Sequence, residues 1–218
     1  RPQAGVGLQN LLDRLAGLYR RAQGVGNSRI VYRGAYLTVD DARVLVVGPG
    51  IDLGQRLVRT RAGVLFVAWS GSQPVAEDVA NGGLIGLEAL ALGDDAIARG
   101  AADALSLFTP QAPPTGERTV VLDPSVAALL AHQCVGRALE ADRWLSGEAD
   151  AARWRGRALG SARVTMIDDP TARPGYGSYW FDDEGTLAAP TTLIDGGVLA
   201  RPVTDATTGA ALGLPSSA

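Results

Sequence analysis

The chain is 218 residues long, carries a formal net charge of −3 and is 46% hydrophobic, enough apolar content for one large or two small cores. All 20 basic residues are arginine, and there is one histidine (His132), one cysteine (Cys134) and one methionine (Met166). These counts exclude a lysine-bearing phosphate loop, a Schiff-base lysine, an intrachain disulfide and a zinc finger; a metal centre built from this chain alone would be mostly carboxylate. The slightly acidic balance and scattered arginines argue against nucleic acid as a partner. No signal peptide is visible and no apolar run approaches the roughly 20 residues that cross a bilayer, so no membrane partner is expected and the cytoplasm is the expected location. With methionine only at position 166, further residues are expected before Arg1.

Leu8, Leu11, Leu12, Leu15, Leu18 and Tyr19 recur at three-and-four spacing and predict an amphipathic helix over 7–21. Three strand-like runs follow, Ile30–Val39, Val44–Val47 and Leu57–Trp69, with Gly48-Pro49-Gly50 as the turn between the second and third. Asn81-Gly82-Gly83 reads as another turn, and Asp94 as the cap of a helix through Phe108. The proline-rich stretch Thr109–Glu117 reads as a linker, which divides the chain into an N-terminal α/β domain over 1–108 and a second segment over 118–218. In that segment Thr119–Leu122 predicts a short strand. Asp123-Pro124 is an N-cap with proline at the first helical position, opening a helix that runs to Trp144. Arg163–Ile167 predicts a strand, and Asp195-Gly196-Gly197 the turn of a hairpin between Thr192–Ile194 and Val198–Ala200. The fold class is α+β, a mixed or antiparallel sheet with packed helices.

The rare residues cluster in the second helix, His132-Gln133-Cys134-Val135-Gly136-Arg137-Ala138-Leu139-Glu140-Ala141-Asp142. A Cys–His dyad is disfavoured, because positions i and i+2 point to opposite sides of a helix. The plain reading is a packed thiol and a surface or interface histidine. Two acidic groups, Asp168/Asp169 and Asp182/Asp183/Glu184, could hold a hard cation or act as an acid–base pair. Flanked by Pro170, Pro174, Gly175, Gly177 and Gly185, they read better as turn and groove-lining residues. Trp144, Trp154, Trp180, Tyr176 and Tyr179 read first as core packing.

Strand, Asp-Pro cap, apolar turn and the run His132–Asp142 together resemble the metal-binding helix of the TldD/PmbA (TldD/TldE) metallopeptidase family, whose motif is H-E-x-x-x-H followed by L-E-x-D. The blocks Val164–Asp169, Gly177-Ser178, Phe181–Thr186 and Thr192–Gly197 resemble later blocks of the same family in the same order, and weaker similarity reaches back through 29–70. The resemblance implies a TldD/PmbA-like fold truncated at both ends, lacking the C-terminal half that carries a cysteine ligand.

The departures carry the functional expectation. His132 stands at the first ligand position, Gln133 replaces the glutamate and Arg137 the second histidine. A glutamine amide cannot take a proton from a metal-bound water, and a guanidinium has no lone pair to donate. The resemblance therefore implies a vestigial motif with no catalytic residue and no metal in this chain, zinc being expected in a partner subunit. It implies a non-catalytic subunit that shapes a substrate channel beside an intact TldD/TldE-like partner, or one that self-associates, with a peptide or amide substrate. Arg137 would meet a substrate carboxylate, and Asp168, Asp169, Ser178, Asp182, Asp183 and Glu184 would face the substrate. Two alternatives stay open: an active hydrolase using His132 or the carboxylates, and a homo-oligomeric peptide-binding scaffold.

Overall fold

The structure, a computed structural model, describes residues 6–71, 73–148 and 153–217. The chain forms two compact units: Arg1–Val44 with Arg56–Thr115 and Arg173–Gly177, and Leu45–Gln55 with Gly116–Ala172 and Ser178–Ala218.

The first unit is built on a sheet of order β1-β2-β3. Strand β1 (Ile30–Gly48) runs through Asp40-Asp41-Ala42-Arg43, which the sequence reading treated as a break between two strands. The charges are tolerated because Asp40, Asp41 and Arg43 are all exposed, and the Arg56 guanidinium donates to both Asp41 carboxylate oxygens at 2.7 and 2.6 Å. A two-residue turn, Pro49-Gly50 with Gly50 at φ 79°, leads into β2 (Ile51–Trp69). Antiparallel to β2 lies β3 (Pro74–Gly83), in register from Trp69↔Pro74 to Thr60↔Gly83. This strand corrects the expected turn at 81–83: those glycines end a strand, and Gly83 abuts the carbonyl of Pro174, which accepts from the Leu84 N–H.

Helix α1 (Leu8–Gln23) buries Leu18 and Ala22, and α2 (Asp94–Ser106) buries Ile97, Gly100, Ala101 and Ala104. Helix α2 packs on β3, where Gly100 lies so close to Val79 that a methyl group would overlap its side chain. Gly93, not Asp94, occupies the N-cap position, and no side-chain cap is present; Asp94 instead receives Arg21 at 2.7 Å. The buried apolar side chains of α1, α2 and β2, with Phe66 fully enclosed, form this unit's core. Burial of a large side chain such as Phe66 or Ile97 contributes about 1.5–3 kcal/mol, and the five alanines of α2 add favourable helix propensity.

In the second unit, Asp123 caps α3 (Pro124–Leu130) as expected, accepting from the Ser125 and Val126 N–H groups at 2.8 and 2.9 Å. The expected helix to Trp144 does not continue. After α3 comes a π-helical turn over Ala131–Val135 and a 3₁₀ turn over Gly136–Leu139; Glu140 is extended, and α4 covers Ala141–Leu145. The break has a tertiary cause. Backbone pairing with Val203 fixes this stretch: Val203 N–H donates to Leu139 C=O at 2.8 Å and Ala141 N–H to Val203 C=O at 3.0 Å. Leu139, Leu193 and Leu199 form a small core with Trp144, Trp154 and Met166 against it.

The sheet here is β4 (Met166–Asp168), β5 (Thr191–Asp195) and β6 (Val198–Leu199), with the β5–β6 turn at Gly196-Gly197, both at positive φ. Thus Arg163–Ile167 contributes only its end to a strand. The expected strand Thr119–Leu122 does not form among the described residues, and Val121 is 94% exposed. Helix α5 (Ala206–Leu212) has no counterpart in the sequence reading; the reciprocal Asp205–Thr208 capping box opens it and Gly213 at φ 65° closes it. Gln55, at the end of the β1–β2 hairpin portion of this unit, donates to Phe181 C=O and accepts from Trp180 N–H. The whole is α+β, as the sequence indicates.

Candidate functional site

The quoted motif residues fall on the π and 3₁₀ turns. His132, Gln133, Cys134 and Arg137 are all exposed, and His132, Gln133 and Arg137 make no side-chain hydrogen bond or ion pair among the described residues. His132 and Gly136 line one side of a cavity of about 460 Å³ whose other walls are Ala128, Ala131, Met166, Ile167, Leu193 and Val203. Glu140 and Asp168 place two carboxylates in this largely apolar wall.

The same two carboxylates and Val203 also border a second cavity of about 260 Å³, closed by Asp142, Tyr179, Asp182, Thr204, Asp205, Thr208 and Ser217. Asp168 thus lies where two hollows adjoin. Burial, then the neighbouring charge of Asp169, raises its pKa. Burial, then the charges of Asp168, Asp182 and Asp183, raises the pKa of the Tyr179 phenol. The arrangement is an acidic hollow beside an apolar one, suited to a ligand that is partly apolar and carries hydrogen-bond donors or positive charge.

The remaining candidates divide by task. Asp169 accepts from the Thr171 N–H and hydroxyl at 2.8 and 2.6 Å, and Asp182 from the Glu184 and Thr186 N–H groups at 2.9 and 2.8 Å. Glu184 accepts from the Ala206 N–H at 2.8 Å. The bonds of Asp169 and Asp182 are the turn roles that the flanking prolines and glycines indicate, whereas Glu184 reaches the first residue of α5. Ser178 is buried at 3% exposure, and its hydroxyl donates to the Ala172 carbonyl, so it orients a loop in this structure. Asp183 is exposed. Of the expected substrate-facing set, Asp168 and Asp182 line a cavity; Arg137 lines neither of the two. Glu140, Tyr179 and Thr208 are cavity residues not picked out as a site from sequence; the Asp205-x-x-Thr208 capping signature was the legible cue to the last. Trp144 and Trp154 pack as expected, whereas Trp180 and Tyr176 are exposed.

Zinc does not fit these residues. Among the described residues no three His, Cys, Asp or Glu side chains converge as a metal-holding group. At the motif itself, Gln133 and Arg137 supply neither a basic carboxylate nor a second lone-pair donor.

Residues 115–218 match the family model described as the PmbA/TldA metallopeptidase C-terminal domain. A metalloprotease of Methanothermobacter thermautotrophicus is 39% identical over 114 residues, 52% of this chain and 25% of that protein. A metalloprotease TldD homolog of Buchnera aphidicola is 31% identical over 103 residues, 47% of this chain and 21% of its own length. The chain thus spans about a quarter of the length of the curated relatives it matches. In fold it resembles a Bacteroides thetaiotaomicron protein described as a candidate modulator of DNA gyrase, with a TM-score of 0.82 and 16% identity over 98% of this chain and 48% of that one. It also resembles TldE from Thermococcus kodakarensis, with a TM-score of 0.64 and 15% identity over 94% of this chain and 46% of that one. The fold of this chain is therefore that of the TldD/TldE-like proteins, and its residues 115–218 are similar to the C-terminal domain of the PmbA/TldA metallopeptidases.

Proposed function

We propose that this chain is a metal-free, non-catalytic subunit of a TldD/TldE-like peptidase complex, shaping a substrate channel beside a metal-bearing partner. The observation that carries the reading is the motif turn. His132 holds the first ligand position, while Gln133 and Arg137 stand where a general base and a second ligand would be required. The paired hollows around Glu140 and Asp168 suit part of a peptide, an apolar side chain in one and a donor-rich or cationic group in the other. Exposed Arg137, with no ion pair of its own among the described residues, would meet a substrate carboxylate at the rim of the channel.

The test is co-expression with a full-length partner carrying an intact H-E-x-x-x-H motif. Amide-bond hydrolysis that needs both chains, and a partner-only zinc content, are expected. Chelator-sensitive peptide hydrolysis by this chain alone overturns the proposal.

A second reading, an active hydrolase, draws on one arrangement: His132, Glu140 and Asp168 border the same cavity. It requires hydrolysis by the isolated chain that His132→Ala abolishes.

A further inference from the structure

Within the first unit, α1 and the 3₁₀ turn Leu87–Leu90 pack together and border a hollow of about 550 Å³ that the peptidase reading leaves unused. Arg14, Gly17, Leu18 and Arg21 recur at three-and-four spacing, so one face of α1 presents all four to it. Its apolar lining is Leu18 and Leu90, both nearly buried, with half-buried Leu87. Gly17 is the unusual member. Glycine in a helix interior weakens the helix relative to alanine, so its presence calls for a reason. Packing within the chain supplies none: beyond the backbone of its own helix, a methyl group there would meet nothing closer than Arg20 Nη2, at 4.0 Å. The bare backbone instead widens the hollow at the middle of α1, where a ligand can lie against it.

Three charged side chains border the hollow, and they are unequally matched. Arg21 is neutralised: its Nε donates to Asp94 at 2.7 Å and its Nη2 to the Leu92 carbonyl. Arg14 donates its Nε to Asn10 Oδ1 at 2.8 Å and meets no carboxylate among the described residues. On the other wall, Glu88 accepts from the Gly86 N–H at 2.7 Å and meets no cation among the described residues. Opposite charges on two walls of one hollow therefore remain unpaired. A ligand bearing only a carboxylate would satisfy Arg14 and be repelled by Glu88, and a simple amine would suffer the reverse. A zwitterion satisfies both. We infer that this hollow binds a small zwitterion with an aliphatic side chain, the chemistry shared by a free amino acid and a dipeptide. Its carboxylate meets Arg14, its ammonium meets Glu88, and its side chain covers Leu18, Leu87 and Leu90. The volume falls among those of small-molecule sites, about 300–1,000 Å³. This site is independent of the peptidase reading and of the hollows at Asp168.

The test titrates the full chain with L-leucine and, separately, with L-leucyl-L-leucine, followed by proton–nitrogen correlation NMR. Saturable shifts of the Gly17, Leu18 and Leu90 amides are expected, and the tighter of the two ligands identifies the source. The N-acetylated form of that ligand lacks the ammonium, and its C-terminal amide lacks the carboxylate. Each is expected to bind at least tenfold more weakly. Arg14→Gln should weaken zwitterion binding at least tenfold yet leave the affinity for the amide unchanged. Glu88→Gln, whose side-chain oxygen still accepts from Gly86, should weaken zwitterion binding equally and leave the acetylated form unchanged. Gly17→Leu fills the hollow and should abolish binding; Arg14→Gln alters an exposed side chain, so it tests the site even if Gly17→Leu unfolds. No saturable shift with either ligand, blocked forms that bind as tightly as the zwitterion, or an affinity indifferent to Arg14→Gln and Glu88→Gln each overturns the inference.

Discussion

Asp168 and Tyr179 line the same cavity, and the Asp168 charge adds to burial in raising the pKa of the Tyr179 phenol. Burial holds both groups away from their charged forms, helped at Asp168 by the charge of Asp169 and at Tyr179 by those of Asp168, Asp182 and Asp183; Glu140, Asp142, Asp182 and Asp205 also line the hollow. A hollow of this kind gains when positive charge enters it, which is why the proposed occupant carries donors or a cation.

Substituting Asp168→Asn removes one of the charges that suppress phenolate formation. The Tyr179 phenol should ionise at lower pH in the variant, read as a shift in the tyrosinate absorbance titration against a Tyr179→Phe control. The same change has a stability consequence. Because the folded-state pKa of Asp168 is raised above its ordinary value of 3.8, ionisation above that raised pKa disfavours the native state. The variant is therefore expected to melt slightly higher than the original at pH 7, with the advantage fading as pH falls toward 4. Equal melting curves at pH 7 would contradict the assigned burial.

Asp205 behaves in the opposite sense. Hydrogen bonds from the Thr208 N–H and hydroxyl lower its pKa below 3.8, so its contribution is present above that value and lost as pH falls through the depressed one. Asp205→Ala is expected to lower the thermal midpoint by about a few degrees at pH 7. The difference should shrink under strongly acidic conditions, as followed by circular dichroism.

Gly100 is set by packing, since its backbone lies against the Val79 side chain and Phe66. Gly100→Ala should cost about 1–3 kcal/mol in denaturant unfolding through overpacking. Adding Val79→Ala makes room for the new methyl group, so the double variant should lose less than the sum of the two single changes. Simple additivity would show that the two side chains do not meet.

Cys134 is exposed on the π-helical turn and has no disulfide partner. One equivalent of thiol should therefore react with Ellman's reagent in the native protein, without denaturant. Protection until unfolding would place the residue inside a packed helix, as an uninterrupted 124–144 helix would allow.

Much of the local structure was legible because local chemistry determined it. The leucine spacing of 8–18, the turn at Pro49-Gly50, the Asp123 cap and the Asp195–Gly197 hairpin turn each depend on a few adjacent residues. Where the structure departs from the sequence pattern, a distant partner intervenes. β3 was missed because its alternation is carried by Val75, Glu77 and Val79, half-buried residues whose pattern emerges only against β2. The break in β1 was misplaced because Asp41 finds its counter-charge on Arg56 in the next strand.

The site followed the same division. The sequence by itself determined the residue types at the motif, and with them the chemistry that Gln133 and Arg137 cannot perform. It also marked the turn carboxylates Asp169 and Asp182, whose short-range amide partners follow within four residues. Only the tertiary structure decided that Glu140 and Asp168 share two cavities, that Ser178 is buried, and that the motif helix gives way to π and 3₁₀ turns. The reason is energetic. Helix propensity differs by tenths of a kcal/mol per residue, whereas burying Leu139 and pairing the backbone around Glu140 with Val203 involve several times that, and depend on Leu193, Leu199 and Val203, more than fifty positions away.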